Sequence, residues 1–114
     1  MSTIYKILPG YLWREAERSG VFRGSEVDLR DGFIHFSTAE QVVETTERHF
    51  AGQNDLVLLR VDAGKLEARL KWEPSRGGAL FPHLYGELDV KAVRQVDSLP
   101  LGPDGQHVFP ALED

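Results

Sequence analysis

The stretch Asp31-Gly32-Phe33-Ile34-His35-Phe36-Ser37-Thr38-Ala39-Glu40-Gln41 changes its period midway, and that change decides how the chain folds. In an extended backbone over 32–36, Phe33 and His35 share one face while Ile34 and Phe36 take the other. Ser37 continues the His35 face. Ser37 and Glu40 then have the spacing of a capping box, and Thr38 with Gln41 offers a second frame for the same device. Val42, Val43, Thr46 and Phe50 follow as one helical stripe, with Glu44, Glu47 and Arg48 turned to water. A strand therefore runs straight into a helix. The free amides at that helix start can hold an anion such as a phosphate beside an imidazole and two hydroxyls.

Working outward, Ile4–Leu8 reads as a first strand that Pro9-Gly10 ends. Leu12, Trp13, Ala16 and Glu17 suit a short helix closed by Ser19-Gly20. Val21–Asp31 shows no clear period and reads as a loop. Past the helix-breaking Ala51–Asp55, Leu56–Asp62 is apolar on both faces at its start, as a central strand is. Ala63–Leu66 makes a turn or a single helical turn. Ala68, Leu70 and Trp72 then alternate with Arg69, Lys71 and Glu73 in a half-exposed strand. Pro74–Gly78 is flexible by composition, and Ala92–Leu99 reads as a last strand. From Pro100 the tail is rich in Gly, Pro and Asp and is expected to be loosely ordered. Strands outnumber helices and no βαβ alternation appears, so the expectation is one α+β domain over 1–114, its core about 3–100 and its sheet mainly antiparallel.

The chain has 114 residues, 41% hydrophobic and 27% charged, with a formal charge of −5. That charge argues against a sequence-independent grip on nucleic acid, which needs clustered Lys and Arg. The absence of cysteine excludes disulfides and thiolate chemistry and fits a reducing cytoplasm. Met1–Lys6 carries no basic run followed by an apolar core, so no secretion signal is expected, and Leu56–Leu59 is far too short to span a bilayer. A cytoplasmic location is the expectation.

A second histidine lies in Phe81-Pro82-His83-Leu84-Tyr85-Gly86, where Phe81, His83 and Tyr85 share a face if extended. Together with His35 it offers an aromatic-walled site with an acid–base group, although a satisfied structural histidine explains either segment alone. Glu73, at a strand end before Pro74, can orient an imidazole or act as a base; a solvated carboxylate is the plainer alternative. His35, His49, His83 and His107 lack ligand spacing, so no metal is expected. His49 near a helix end and His107 in the tail have structural explanations. His35-Phe36-Ser37 matches half of the paired His-x-Ser/Thr signature of two-histidine cyclic phosphodiesterases; His83-Leu84-Tyr85 supplies a phenol instead.

Ile4-Tyr5-Lys6-Ile7, Asp31–Thr38, Leu70-Lys71-Trp72-Glu73 and Phe81–Gly86 together resemble, in order over roughly 3–100, a small bacterial family known as domain of unknown function 952. The resemblance implies a fold similar to ADP-ribosyltransferases: two packed, mainly antiparallel sheets with short helices, forming a cleft that holds NAD in active relatives. By position Lys6 stands where many members have histidine, His35 and Ser37 fall in the second segment, and His83 and Tyr85 in a later one. The expectation is a cleft for NAD or another nucleotide, with ADP-ribosyltransferase-like or phosphotransferase-like activity. His35, His83 and Glu73 are its candidate catalytic residues, and Lys6, Phe33, Ser37, Thr38 and Tyr85 its candidate ligand contacts, with Lys6 and the helix start after Ser37 expected to hold phosphate. Two alternatives stay open: a non-catalytic ligand-binding or interaction module, and a hydrolase of cyclic phosphates.

Overall fold

The computed structural model describes residues 2–113 and shows a mixed α+β protein built on antiparallel sheets. Strands β1 (Thr3–Pro9), β4 (Leu56–Asp62) and β8 (Val93–Ser98) form the first sheet in the order β1-β4-β8. Strands β3 (Ile34–His35), β6 (Leu80–Leu84) and β5 (Leu70–Pro74) form another in the order β3-β6-β5. The short ribbon β2 (Val21–Phe22) with β7 (Leu88–Asp89) makes a third, where two sheets were expected. The two larger sheets are stitched at one point, where Tyr5 and Ser37 exchange backbone hydrogen bonds of 2.7 and 2.8 Å.

Both faces of the first sheet are covered, which is why β4 opens with an unbroken apolar run. On one side Ile4, Leu8, Leu59 and Val61 pack with Trp13 of helix α1 (Gly10–Ser19), with Ile34 and Leu84 of the β3-β6-β5 sheet, and with Phe36 just after β3. On the other, Tyr5, Ile7, Leu56 and Leu58 pack under Val42 of helix α3 (Ala39–His49) and beside Leu99. The tail from Pro100, expected to be loosely ordered, lies on this second face through Phe109 and Leu112. The buried Arg60 holds it by donating to the Ala111 carbonyl at 2.6 Å, and the Tyr5 hydroxyl donates to the Glu113 carbonyl at 2.8 Å.

Three expectations are corrected. The presumed loop Val21–Asp31 contains β2 and a helix, α2 (Glu26–Asp31). Ser25 and Asp28 form the capping box of α2, and Gly32 closes it at φ +87°, a conformation that disfavours any side chain. For α3 the working frame is Thr38/Gln41: Gln41 Oε1 accepts from the Thr38 amide at 3.0 Å, while Ser37 stays one residue outside, its backbone tied to Tyr5. The strand expected from Ala68 begins at Leu70, because 63–69 winds as tight 3-10 turns with Glu67 at φ +54°.

Candidate functional site

Cross-strand register builds the site. His35 lies opposite His83, which lies opposite Lys71, while Ile34, Leu84 and Leu70 form the neighbouring row. Successive residues alternate faces, so the row Ile34–Leu84–Leu70 packs into the core and the row His35–His83–Lys71 points the other way. Glu73 and Phe81 form the next pair on that same face. The two imidazoles end with ring centroids 5.5 Å apart, and the Phe33 ring stacks on His83 at 4.1 Å.

Each imidazole is gripped by carboxylate, but differently. His83 Nδ1 is 2.8 Å from Glu73 Oε1, which also accepts from the Tyr85 hydroxyl at 2.8 Å. Bonds from His83 and then Tyr85 hold the Glu73 carboxyl below its ordinary range, and the same bond from the other side pushes the Tyr85 phenol up. An ionised carboxylate only accepts, so Nδ1 carries a proton toward Glu73, which leaves Nε2 as the ring nitrogen without a carboxylate. Among the described residues Nε2 has no hydrogen-bond partner. His35 meets two carboxylates: Nδ1 bonds Asp28 Oδ1 at 2.6 Å, and Nε2 lies 2.9 Å from Asp31 Oδ2 at the more exposed side of the ring.

Asp28 is the hub of this corner, and the sequence reading missed it. Only 2% exposed, it receives Lys6 Nζ at 2.9 and 3.0 Å, the His35 ring, the His35 amide at 3.1 Å and the Ser25 amide at 2.9 Å. Burial pushes its carboxyl up, but the bond from His35 and the charge of Lys6 outweigh that and hold it well below the usual carboxylate range. Burial in turn pushes the Lys6 ammonium down, with Asp28 opposing. Lys6 faces the core between Ile4 and Leu8, where an unpaired charge would be costly, and Asp28 supplies its counter-ion.

A cavity of about 540 Å³ opens along β1 and the end of β3, within the size range of small-molecule sites. Lys6, His35, Ser37 and His83 line it, together with Asp28, Asp31, Arg76 and an apolar wall that includes Ile7, Tyr11, Leu12 and Val27. Phe33, Glu73 and Tyr85 stand behind the imidazoles without lining it, and Thr38 is engaged at the start of α3. His49 lines the cavity too, a placement its helix-end reading did not suggest. The signal for Asp28 lay in Ser25-Glu26-Val27-Asp28, a helix-start spacing closed by Gly32.

Fold and cleft thus define a small α+β protein with two carboxylate-bound histidines facing one hollow. The chain belongs to the family described as protein of unknown function (DUF952), whose model matches residues 7–96. It is similar to protein CC0527 from Caulobacter crescentus, whose crystal structure shares 51% identity over 94% of each chain with a TM-score of 0.90. The solution structure of CC0527 shares 53% identity over 93% of this chain and 91% of that one, with a TM-score of 0.84. No curated protein matches the chain. No helix among the described residues is long and apolar enough to cross a membrane.

Proposed function

We propose that this is a nucleotide-binding protein of ADP-ribosyltransferase-like fold whose cleft takes NAD and supports group transfer, with His83 as its acid–base residue. The observation that carries the reading is the convergence of His35 and His83, 5.5 Å apart, on a cavity of about 540 Å³. The volume suits a nucleotide, and the wall of Tyr11, Leu12 and Val27 suits a base or nicotinamide ring. NAD, when bound, supplies a ribosyl group on a good leaving group.

The chain's own residues divide the work. Glu73 and Tyr85 fix the Nδ1–H tautomer of His83, and Phe33 stacks on its ring, so Nε2 is held ready to take a proton from an acceptor hydroxyl or water. His35, with Nδ1 on Asp28 and Nε2 near Asp31, ties β3 to α2. A two-histidine hydrolase of cyclic phosphates pairs two His-x-Ser/Thr motifs, and His83-Leu84-Tyr85 supplies a phenol in place of the second hydroxyl. The engagement of His35 and of Lys6 favours one second reading, a binding module that has the cleft without turnover. Incubation with NAD separates them. Nicotinamide release that His83→Gln abolishes while NAD still binds supports the enzyme; saturable binding with no release in the wild type supports the module; absence of both refutes the nucleotide reading.

A further inference from the structure

The cations lining the cleft are Lys6, Arg30 and Arg76. Lys6 is buried on Asp28, and Arg30 is 71% exposed and paired with Asp31, so neither is a ready partner for a ligand. Arg76 differs. It sits in Ser75-Arg76-Gly77-Gly78, where the glycines at φ +69° and +82° turn the loop back toward α3. Its guanidinium lies 5.0 Å from the centre of the Phe81 ring, its Nε is 3.0 Å from Glu44 Oε2, and its Nη2 donates to Thr45 Oγ1 at 3.3 Å.

That same Glu44 oxygen also takes Arg48 Nε at 3.0 Å. One carboxylate shared by two guanidinium groups leaves the trio with one net positive charge. Among the described residues Nη1 of Arg76 has no acceptor. The side chain is thus placed by contacts with Phe81, Glu44 and Thr45 while its fork keeps donors in reserve, the condition under which arginine binds a tetrahedral oxyanion at reduced ordering cost.

We infer that Arg76 is the anion anchor of the cleft and takes the phosphate of a nucleoside phosphate whose base lies on the apolar wall. The role expected of Lys6 passes to a residue that the sequence left in a flexible loop. The inference deepens the nucleotide reading above and rests on it for the nature of the ligand.

The test titrates the full chain, and its Arg76→Gln and Glu44→Gln variants, with AMP, adenosine and inorganic phosphate. It records affinities by calorimetry and follows the Arg76 Nε–H resonance. Arg76 is a partly exposed loop residue, and an unchanged amide spectrum verifies that each variant is folded. The wild type is expected to bind AMP about 10–100-fold more tightly than adenosine, the gain of a charge-assisted contact. Arg76→Gln is expected to bring that ratio near one, and Glu44→Gln, which removes the competing carboxylate, to raise it several-fold. A ratio near one in the wild type, or one that survives Arg76→Gln, overturns the anchor while adenosine binding leaves the nucleotide reading standing. If neither nucleoside binds but phosphate shifts Arg76 in the wild type and nothing in Arg76→Gln, the anchor holds and the nucleotide reading falls. No response to any of the three overturns both.

Discussion

Asp28→Asn tests whether one buried carboxylate organises the site. Asparagine keeps one acceptor oxygen where Asp28 uses two, Oδ2 for the Ser25 amide and Oδ1 for the His35 amide, so the substitution removes the charge beside Lys6, which is 6% exposed, together with one of those bonds. Breaking a buried pair from one side costs about 3–5 kcal/mol. An independent ceiling comes from Lys6 itself, which can shed its proton: from an ordinary lysine value to pH 7, that costs about 5 kcal/mol. A loss of about 4 kcal/mol is therefore expected, a large part of the 5–15 kcal/mol typical of such a domain, with a fall in Tm of roughly 15 °C. Urea unfolding at pH 7 of the wild type, Asp28→Asn, Lys6→Met and the double variant measures it. The double variant buries no orphan ammonium and is expected to regain about 2 kcal/mol over Asp28→Asn alone. A loss under about 1 kcal/mol for Asp28→Asn, or strictly additive effects in the cycle, refutes the hub.

The pH dependence has a definite sign. Asp28 has its folded pKa held below the unfolded one, so its contribution is complete above the ordinary aspartate range and disappears as pH falls through the folded value. The stability gap between wild type and Asp28→Asn, large at pH 7, should close steadily below about pH 4 by acid-titrated urea unfolding. Glu73→Gln should leave stability within about 0.5 kcal/mol but blur the Nδ1–H tautomer of His83, read from ring ¹⁵N shifts. Thr38→Ala should cost about 1 kcal/mol and Ser37→Ala clearly less by thermal unfolding, which distinguishes the two helix-start frames. Phe109→Ala should cost about 2 kcal/mol in the same assay, since the half-buried ring packs against the core cluster that contains Leu56 and Leu58.

The histidine faces were legible because strand alternation is a local rule. Phe33/His35 against Ile34/Phe36 falls out of a period of two, and His83 follows through the register. Helix α2 was not legible, for a physical reason: its apolar residues Val27 and Leu29 are 47% and 67% exposed, and its buried residue is Asp28. A helix held by a capping box and an ion pair leaves no apolar stripe to read. β5 misleads in the opposite way. Alternation puts Trp72 toward the core, yet it is 42% exposed, whereas Glu73 on the polar face is drawn in by His83 and Tyr85. Lys6 looked like a free phosphate ligand because its partner, 22 positions away, lay in the unread helix. The tail's polar composition likewise hid the anchoring role of Arg60, whose acceptor at Ala111 is a backbone carbonyl.

One hollow shared by His35 and His83 is the claim on which the functional account stands, and titrating NAD into the full chain while following the four histidine rings by NMR measures it most directly. The account predicts that His83 and His35 shift together along one saturation curve, with the larger change at His83 Nε2, while His107, bonded to the Gln53 carbonyl outside the cleft, stays still. Rings that respond at different NAD concentrations, or do not respond at all, contradict it.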